Sequence, residues 1–165
     1  MTQRLLARLV ALFLLLAPAA VPAGELVVPP PKPDSVCPVC GMFVAKFPEW
    51  IGYVVYKDGH AHHFDGAKDL FKFLAAPKSY VPGHRAEDVA TIAVTDYYAV
   101  EPIAARDAWY VIGSDVLGPM GHELVALATE AEAKDFLRDH KGKAILRFDQ
   151  VTPELLGRLD KGQVK

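Results

Sequence analysis

The fold is decided at residues 51–64, which have the sequence IGYVVYKDGHAHHF. The first six residues are rich in β-branched and aromatic side chains, which favours a strand. An Asp-Gly pair at residues 58–59 is typical of a tight hairpin turn, and the last four residues predict the returning strand. Asp65 follows directly and is placed to cap a helix with apolar residues on one face. The stretch therefore predicts two strands followed by a helix.

The same order of elements occurs twice along the chain. A β-branched run at residues 89–96 predicts the strand that completes a first ββαβ unit. In the second unit, Thr129 and Glu132 form the capping box of a helix, and Pro153 opens a short terminal helix. The strands of the second unit are expected at residues 108–112, 123–127 and 143–148. We therefore predict an α+β fold of two small ββαβ halves, with mixed or antiparallel sheets and a short C-terminal helix.

The first 23 residues have the pattern of a cleavable secretory signal peptide. Two arginines precede an apolar run that is too short to cross a bilayer, and small residues give a cleavage site at Ala23. No cysteine stands near that site for acylation, so we expect a soluble periplasmic protein without a membrane anchor. Four prolines at residues 29–33 favour an extended tether. The predicted organisation is a signal peptide, a proline-rich tether and two halves, at residues 1–23, 24–36, 37–100 and 101–165.

Charge and cysteine content reduce the number of possible functions. Loss of the leader changes the formal net charge from −2 to −4, so we expect no nucleic-acid partner. The only two cysteines are separated by two residues. A disulfide between them closes a loop that is too short to stabilise the fold much. The pair is better explained by reactivity or by metal ligation.

Residues 37–42, Cys-Pro-Val-Cys-Gly-Met, bring two thiols and a thioether together. Soft sulfur donors suit Cu(I), and a turn that contains a proline and a glycine can aim them at one point. Cys40 and Met42 are therefore predicted copper ligands. Met120 is the only other methionine of the mature chain, lies in a Gly-Pro-Met-Gly loop, and is the predicted third ligand. The alternative is that both methionines fill gaps in the core.

Cys37 has several open roles: a fourth donor, a resolving thiol, or the partner of Cys40 in a disulfide when metal is absent. Two rival functions use it. One is a periplasmic thiol–disulfide oxidoreductase that uses both cysteines. The other is a structural Zn site in which two histidines join the cysteines. A redox motif normally follows a strand and opens a helix, and no strand is predicted before Cys37.

The histidines offer further donors. By the alternation of a strand, His60 and His62 share one face of the hairpin and His63 takes the other. One of these three is a candidate ligand beside the sulfur turn. His122 adjoins the Met120 loop and is a second candidate.

Motifs of catalysis are missing from the sequence. His122 and Glu123 resemble the opening of a zinc-protease motif, but Ala126 stands where the second histidine is required. We interpret four acidic residues as helix caps and solvated helix faces: Asp65, Asp69, Glu132 and Asp135. We expect that the protein is not an enzyme.

Three stretches together resemble the NosL family, the accessory copper chaperones of nitrous oxide reductase. They are residues 37–42, residues 57–69 with the pattern KDG…FDGAKD, and residues 113–124 with the pattern GSD…GPMG…EL. The resemblance covers nearly all of the mature chain. It places the family's Cys-x-Met pair on Cys40 and Met42, and the methionine of its loop on Met120.

The resemblance implies a periplasmic protein that binds one Cu(I) and delivers it during assembly of the copper–sulfide cluster of nitrous oxide reductase. It implies partners in the same maturation pathway, including the reductase and a membrane-bound ABC-type transporter. It also implies two ββαβ halves.

Overall fold

A computed structural model describes residues 26–83 and 85–164. The predicted signal peptide and the first two residues of the tether lie outside these ranges. The described chain forms an α+β fold with two antiparallel sheets and four α-helices, which confirms the predicted fold class. Among the described residues, no helix combines the length and the apolar character needed to cross a membrane.

The predicted hairpin begins a four-stranded antiparallel sheet. Its strands are β1 (Gly52–Tyr56), β2 (Ala61–Phe64), β3 (Val89–Asp96) and β4 (Glu101–Ala104), in the spatial order β2-β1-β3-β4. The hairpin turn uses Gly59 at a φ of 85°, a conformation that favours glycine. The sequence does not predict β4, which is a short edge strand that contains Pro102. It starts where the predicted second half begins, yet it pairs with β3 of the first sheet.

The second sheet has three antiparallel strands, all within the ranges expected from the sequence. They are β5 (Trp109–Ile112), β6 (Val125–Leu127) and β7 (Ala144–Leu146), with β5 in the centre. The helices are α1 (Ala67–Ala75), α2 (Pro77–Tyr80), α3 (Glu130–Asp139) and α4 (Pro153–Asp160).

Two of the three predicted helix starts form as expected. The capping box of α3 is present: Thr129 Oγ1 accepts a hydrogen bond from the Glu132 amide, and the Glu132 carboxylate accepts one from the Thr129 amide. Thr152 Oγ1 accepts a hydrogen bond from the amide of Leu155 at the start of α4.

The predicted cap of α1 at Asp65 is wrong. Gly66 is the first flanking residue of α1, and no side chain of the cap position bonds to the helix. The amide of Lys68 instead donates to Oε1 of Glu123, over 2.6 Å. Glu123 is buried and comes from the loop before β6. A free backbone amide at the start of α1 is therefore bonded by a residue of the second half of the chain and not by a neighbouring residue.

One hydrophobic core joins the two halves. It includes Phe64 and Phe73 from the first half and Tyr110 and Leu156 from the second, all fully or almost fully buried. The described part of the predicted tether lies against this body. Leu26 and Val28 pack on the core, and Nε2 of His63 donates to the carbonyl of Pro29 over 2.8 Å.

Candidate metal centre

Both cysteines lie in a tight loop that runs from Val36 to Phe43. These two residues form an isolated antiparallel bridge that closes the loop. Inside it, the Cys37 amide donates to the Met42 carbonyl over 2.8 Å, and the Gly41 amide donates to the Cys37 carbonyl over 2.8 Å. Gly41 has a φ of 78°, which other residues adopt only with strain. The loop conformation is therefore set by its backbone, and it brings the two thiols to one side.

Two carboxylates meet the thiols there. Cys40 Sγ lies 3.1 Å from Oδ1 of Asp65, and Cys37 Sγ lies 3.5 Å from Oδ2 of Asp69. One donor atom from each of the four residues lies within 4.8 Å of every other. Asp65 directly follows β2 and Asp69 is in the first turn of α1, so one turn of chain aims both acids at the cysteine loop. The cluster is a site built from two separate segments.

The sequence-based interpretation of these acids as a cap and a solvated face is wrong. Asp65 is 1% exposed and Asp69 is 2% exposed. Acids at the start of a helix are usually caps or partners of the helix dipole, which is why the sequence favours that interpretation. The signal that could have found them is the FDGAKD stretch, which spaces two acids one helical turn apart.

The protonation of the thiols is set by burial and by these acids. Burial raises the pKa of Cys37 to about 12, with a smaller upward contribution from Asp65. Burial also raises the pKa of Cys40, and hydrogen bonds to Asp65 and Asp69 add to the effect. Backbone amides that point at the sulfur atoms offset only part of it. Both thiols are free, and their raised pKa values are the opposite of what a nucleophilic redox cysteine needs.

A cation fits this cluster. Oδ2 of Asp65 is buried and has no hydrogen-bond partner among the described residues. A buried carboxylate oxygen without a partner is costly, and a cation relieves that cost. Thiolates suit a soft ion such as Cu(I), although a set of two thiolates and two carboxylates is also one that Zn²⁺ accepts.

Each methionine lies on a loop that is connected to one segment of the cluster. Met42 is half-buried at the end of the cysteine loop. Met120 is 45% exposed, in a turn where Gly118 and Gly121 exchange two backbone hydrogen bonds of 2.9 and 3.0 Å. The carbonyl of Met120 accepts a hydrogen bond from Lys68 Nζ, the residue before Asp69. The turn is thus fastened to the helix that supplies one of the acids, and ligation by Met42 and Met120 stays a prediction.

The histidines occupy other positions. The rings of His60 and His62 lie 4.8 Å apart on one face of the hairpin, whereas His63 packs edge-on against Tyr53 on the other. His62 also contacts Phe73 of the core. The donors grouped with the thiols are Asp65 and Asp69, not the histidines of the rival Zn site.

Comparison with known proteins identifies relatives of this chain. The profile of the NosL family matches residues 29–156. The chain is 29% identical over 122 residues to the copper-binding lipoprotein NosL of Stutzerimonas stutzeri, covering 73% of this chain and 63% of that protein's length. It is also similar to the crystal structure of the copper chaperone NosL from Shewanella denitrificans. That likeness has a TM-score of 0.64 at 28% identity, and covers 78% of this chain and 97% of the other.

Proposed function

Because the chain belongs to the NosL family, we propose that it is a periplasmic chaperone that carries Cu(I) for assembly of the copper–sulfide cluster of nitrous oxide reductase. The observation that carries the proposal is the meeting of Cys37 and Cys40 with Asp65 and Asp69, with all four donor atoms within 4.8 Å of one another. Its similarity to a protein described as a copper chaperone favours copper as the cargo.

The roles we assign follow from the chemistry of each donor. Cys40 supplies a thiolate, Met42 and Met120 supply thioethers, and Cys37 is a fourth donor. Thioethers are neutral and soft, so they favour Cu(I) over harder ions. The two carboxylates are hard donors. Their part is to attract the cation electrostatically, because a single thiolate already balances the charge of a monovalent ion.

Release to a partner requires that part of the site is accessible. Met120 is 45% exposed and Phe43, next to Met42, is 46% exposed, whereas Cys37 is almost fully buried at 1%. An incoming ligand from a partner can therefore replace Met120 first and Cys37 last. This is ligand exchange without oxidation, group transfer or hydrolysis, so we propose a carrier and not an enzyme. The partners we propose are the reductase and its maturation factors, including an ABC-type transporter.

The test is an anaerobic Cu(I) titration of the reduced protein, purified from the periplasm of an expression host, against a colorimetric Cu(I) competitor. We expect one tightly bound ion. We expect Met42→Ala and Met120→Ala each to weaken binding by at least about tenfold, or about 1.4 kcal/mol. Leu117→Ala is the matched control, because Leu117 is an exposed apolar residue of the Met120 loop and has no sulfur. The proposal fails if the competitor keeps the copper, or if the methionine variants bind as Leu117→Ala does.

The same variants separate the two rival functions. An oxidoreductase should keep its activity in both methionine variants and lose it when either cysteine becomes serine. A structural Zn site should unfold when a chelator is added, with no dependence on the methionines. Circular dichroism with and without the chelator distinguishes the second rival from the chaperone.

A further inference from the structure

We propose that Lys68 is a positioning residue for copper binding, which fastens the Met120 turn to the helix that supplies Asp69 to the cysteine–aspartate cluster. This inference rests on the proposed function and deepens it. The side chain is only 1% exposed, so its ammonium group is inside the protein. A buried ammonium is costly unless each of its donors is paired. The partners of this group therefore show what it does.

The three donors of the Lys68 ammonium have three acceptors. Nζ donates to the Met120 carbonyl over 2.9 Å and to the His122 carbonyl over 2.8 Å. It also lies 3.3 Å from Oδ1 of Asp160 on α4. An ammonium has three N–H groups and no acceptor, so this set satisfies it completely. Both of its hydrogen bonds go to residues 120–122, and the contact with Asp160 is an ion pair.

That loop is a preformed unit. Gly118 and Gly121 exchange both backbone hydrogen bonds, so Pro119 and Met120 form the corners of a closed turn. Gly118 is packed closely against Trp50 and Glu123, because an added Cβ there would lie 3.3 Å and 3.0 Å from their side chains. The internal shape of the turn is therefore fixed by its own bonds. What remains to be set is the orientation of the turn on the domain, and Lys68 binds one carbonyl within the turn, at Met120, and one directly after it, at His122.

The same lysine belongs to the helix that builds the cluster. Its amide donates to Glu123, three residues after Met120, over 2.6 Å, and the next residue along α1 is Asp69. Lys68 thus bonds to the carbonyls of Met120 and His122 with its ammonium group and to Glu123 with its backbone amide. This residue therefore links helix α1, which places a carboxylate beside Cys37, to the turn that carries Met120.

The test is the same Cu(I) competition assay on wild type, Lys68→Gln, Met120→Ala and the double variant. We expect Lys68→Gln to weaken binding by about 10–100-fold, the usual cost of losing a residue that orients a ligand. In the Met120→Ala background we expect no further loss, since the turn then carries no ligand. X-ray absorption should show that Lys68→Gln loses the same sulfur neighbour of copper as Met120→Ala does. Asp160→Asn is the control: it removes the charge that faces Lys68 and Lys72 but neither loop bond of Lys68, and should bind copper nearly as wild type does.

Each result decides between the proposals. If wild type does not bind Cu(I), the proposed function fails. If wild type binds and Lys68→Gln binds equally well, only the positioning role fails. An equal loss in both backgrounds also overturns it, because Lys68 then acts through the whole fold and not through Met120. If Lys68→Gln does not fold, Lys68→Arg keeps the charge and donors inside, and a smaller loss that depends on Met120 is expected.

Discussion

The thiol of Cys40 lies 3.1 Å from Oδ1 of Asp65, while Oδ2 of the same carboxylate is buried without a partner among the described residues. One oxygen of Asp65 thus faces Cys40, the more accessible of the two cysteines, and the other oxygen is available to a cation. Burial and the acids hold both thiols in the protonated form, which protects them from air oxidation because the thiolate is the reactive species. A bound cation removes the reason for that protonation. We therefore expect the site to be inert when empty and to become a thiolate site when metal enters.

Replacing Asp65 with asparagine should lower the pKa of Cys40. The carboxylate raises that pKa through a hydrogen bond and is a smaller cause than burial, so the fall should be partial. The measurement is ultraviolet thiolate absorbance against pH in the reduced protein without metal. Asp34→Asn is the matched control, since Asp34 is exposed just before the cysteine loop. An unchanged titration of Cys40 in Asp65→Asn would contradict this role of the acid.

The affinity for Cu(I) should rise with pH. The pKa of Cys37 is raised to about 12 and that of Cys40 is also raised, so both thiols carry a proton throughout the neutral range. Each thiol that ligates must release its proton, and affinity should therefore increase about tenfold per pH unit for each cysteine that binds. Competition titrations at several pH values measure this slope. A slope of one proton in wild type that disappears in Cys40→Ser would assign the ligand to Cys40, and an affinity that is independent of pH would show that neither thiolate binds.

The elements of the fold follow from local chemistry that is visible in the sequence. The Asp-Gly turn at residues 58–59 and the capping box at Thr129 act within a few residues, and both form as expected. The edge strand β4 is missed because it is short and contains Pro102, and its partner is a strand of the other predicted half. A strand that forms mainly because it pairs with a neighbouring strand has only a weak signal in its own sequence.

The site is less predictable for the same reason. The sulfur stretch stands out because its residue types are rare in this chain and share one chemistry. Asp65, Asp69 and Glu123 are of a common type, and only their burial in the folded chain distinguishes them from solvated acids. Glu123 reaches Lys68 across 55 positions of sequence. No periodicity or spacing in the sequence encodes such a contact.

Stability should fall with rising pH through the buried carboxyl of Glu123. Burial raises its pKa to about 8, from an ordinary value of 4.5, although Lys68 opposes the rise. Because the folded state binds this proton more tightly than the unfolded state, its contribution is fully present below the ordinary pKa and is lost as pH rises through about 8. The upper limit of the effect is about 4–5 kcal/mol, because a tenfold difference in proton affinity between the two states corresponds to about 1.36 kcal/mol.

Urea unfolding of wild type and Glu123→Gln across this range isolates the effect. Glutamine keeps an oxygen for the amides of Lys68 and Leu124 but does not titrate. The wild type should therefore lose stability relative to Glu123→Gln as pH rises, while all other carboxylates cancel in the comparison. If the free energies of unfolding of the two proteins change with pH in parallel, Glu123 binds its proton equally in the folded and unfolded states, which would contradict the prediction.

A methyl group at position 66 should be costly although the backbone there is ordinary. Gly66 has a φ of −171°, which any residue adopts, but an added Cβ would run into the buried carboxylate of Glu123. Overpacking of this kind costs about 1–3 kcal/mol. Gly157→Ala is the matched control, because Gly157 lies inside α4 with open space around it, and alanine there should stabilise by about 0.5–1 kcal/mol. Denaturant midpoints at constant slope measure both. Opposite signs for the two substitutions are expected, and a Gly66→Ala protein as stable as wild type would mean that Glu123 can leave the start of α1 without cost.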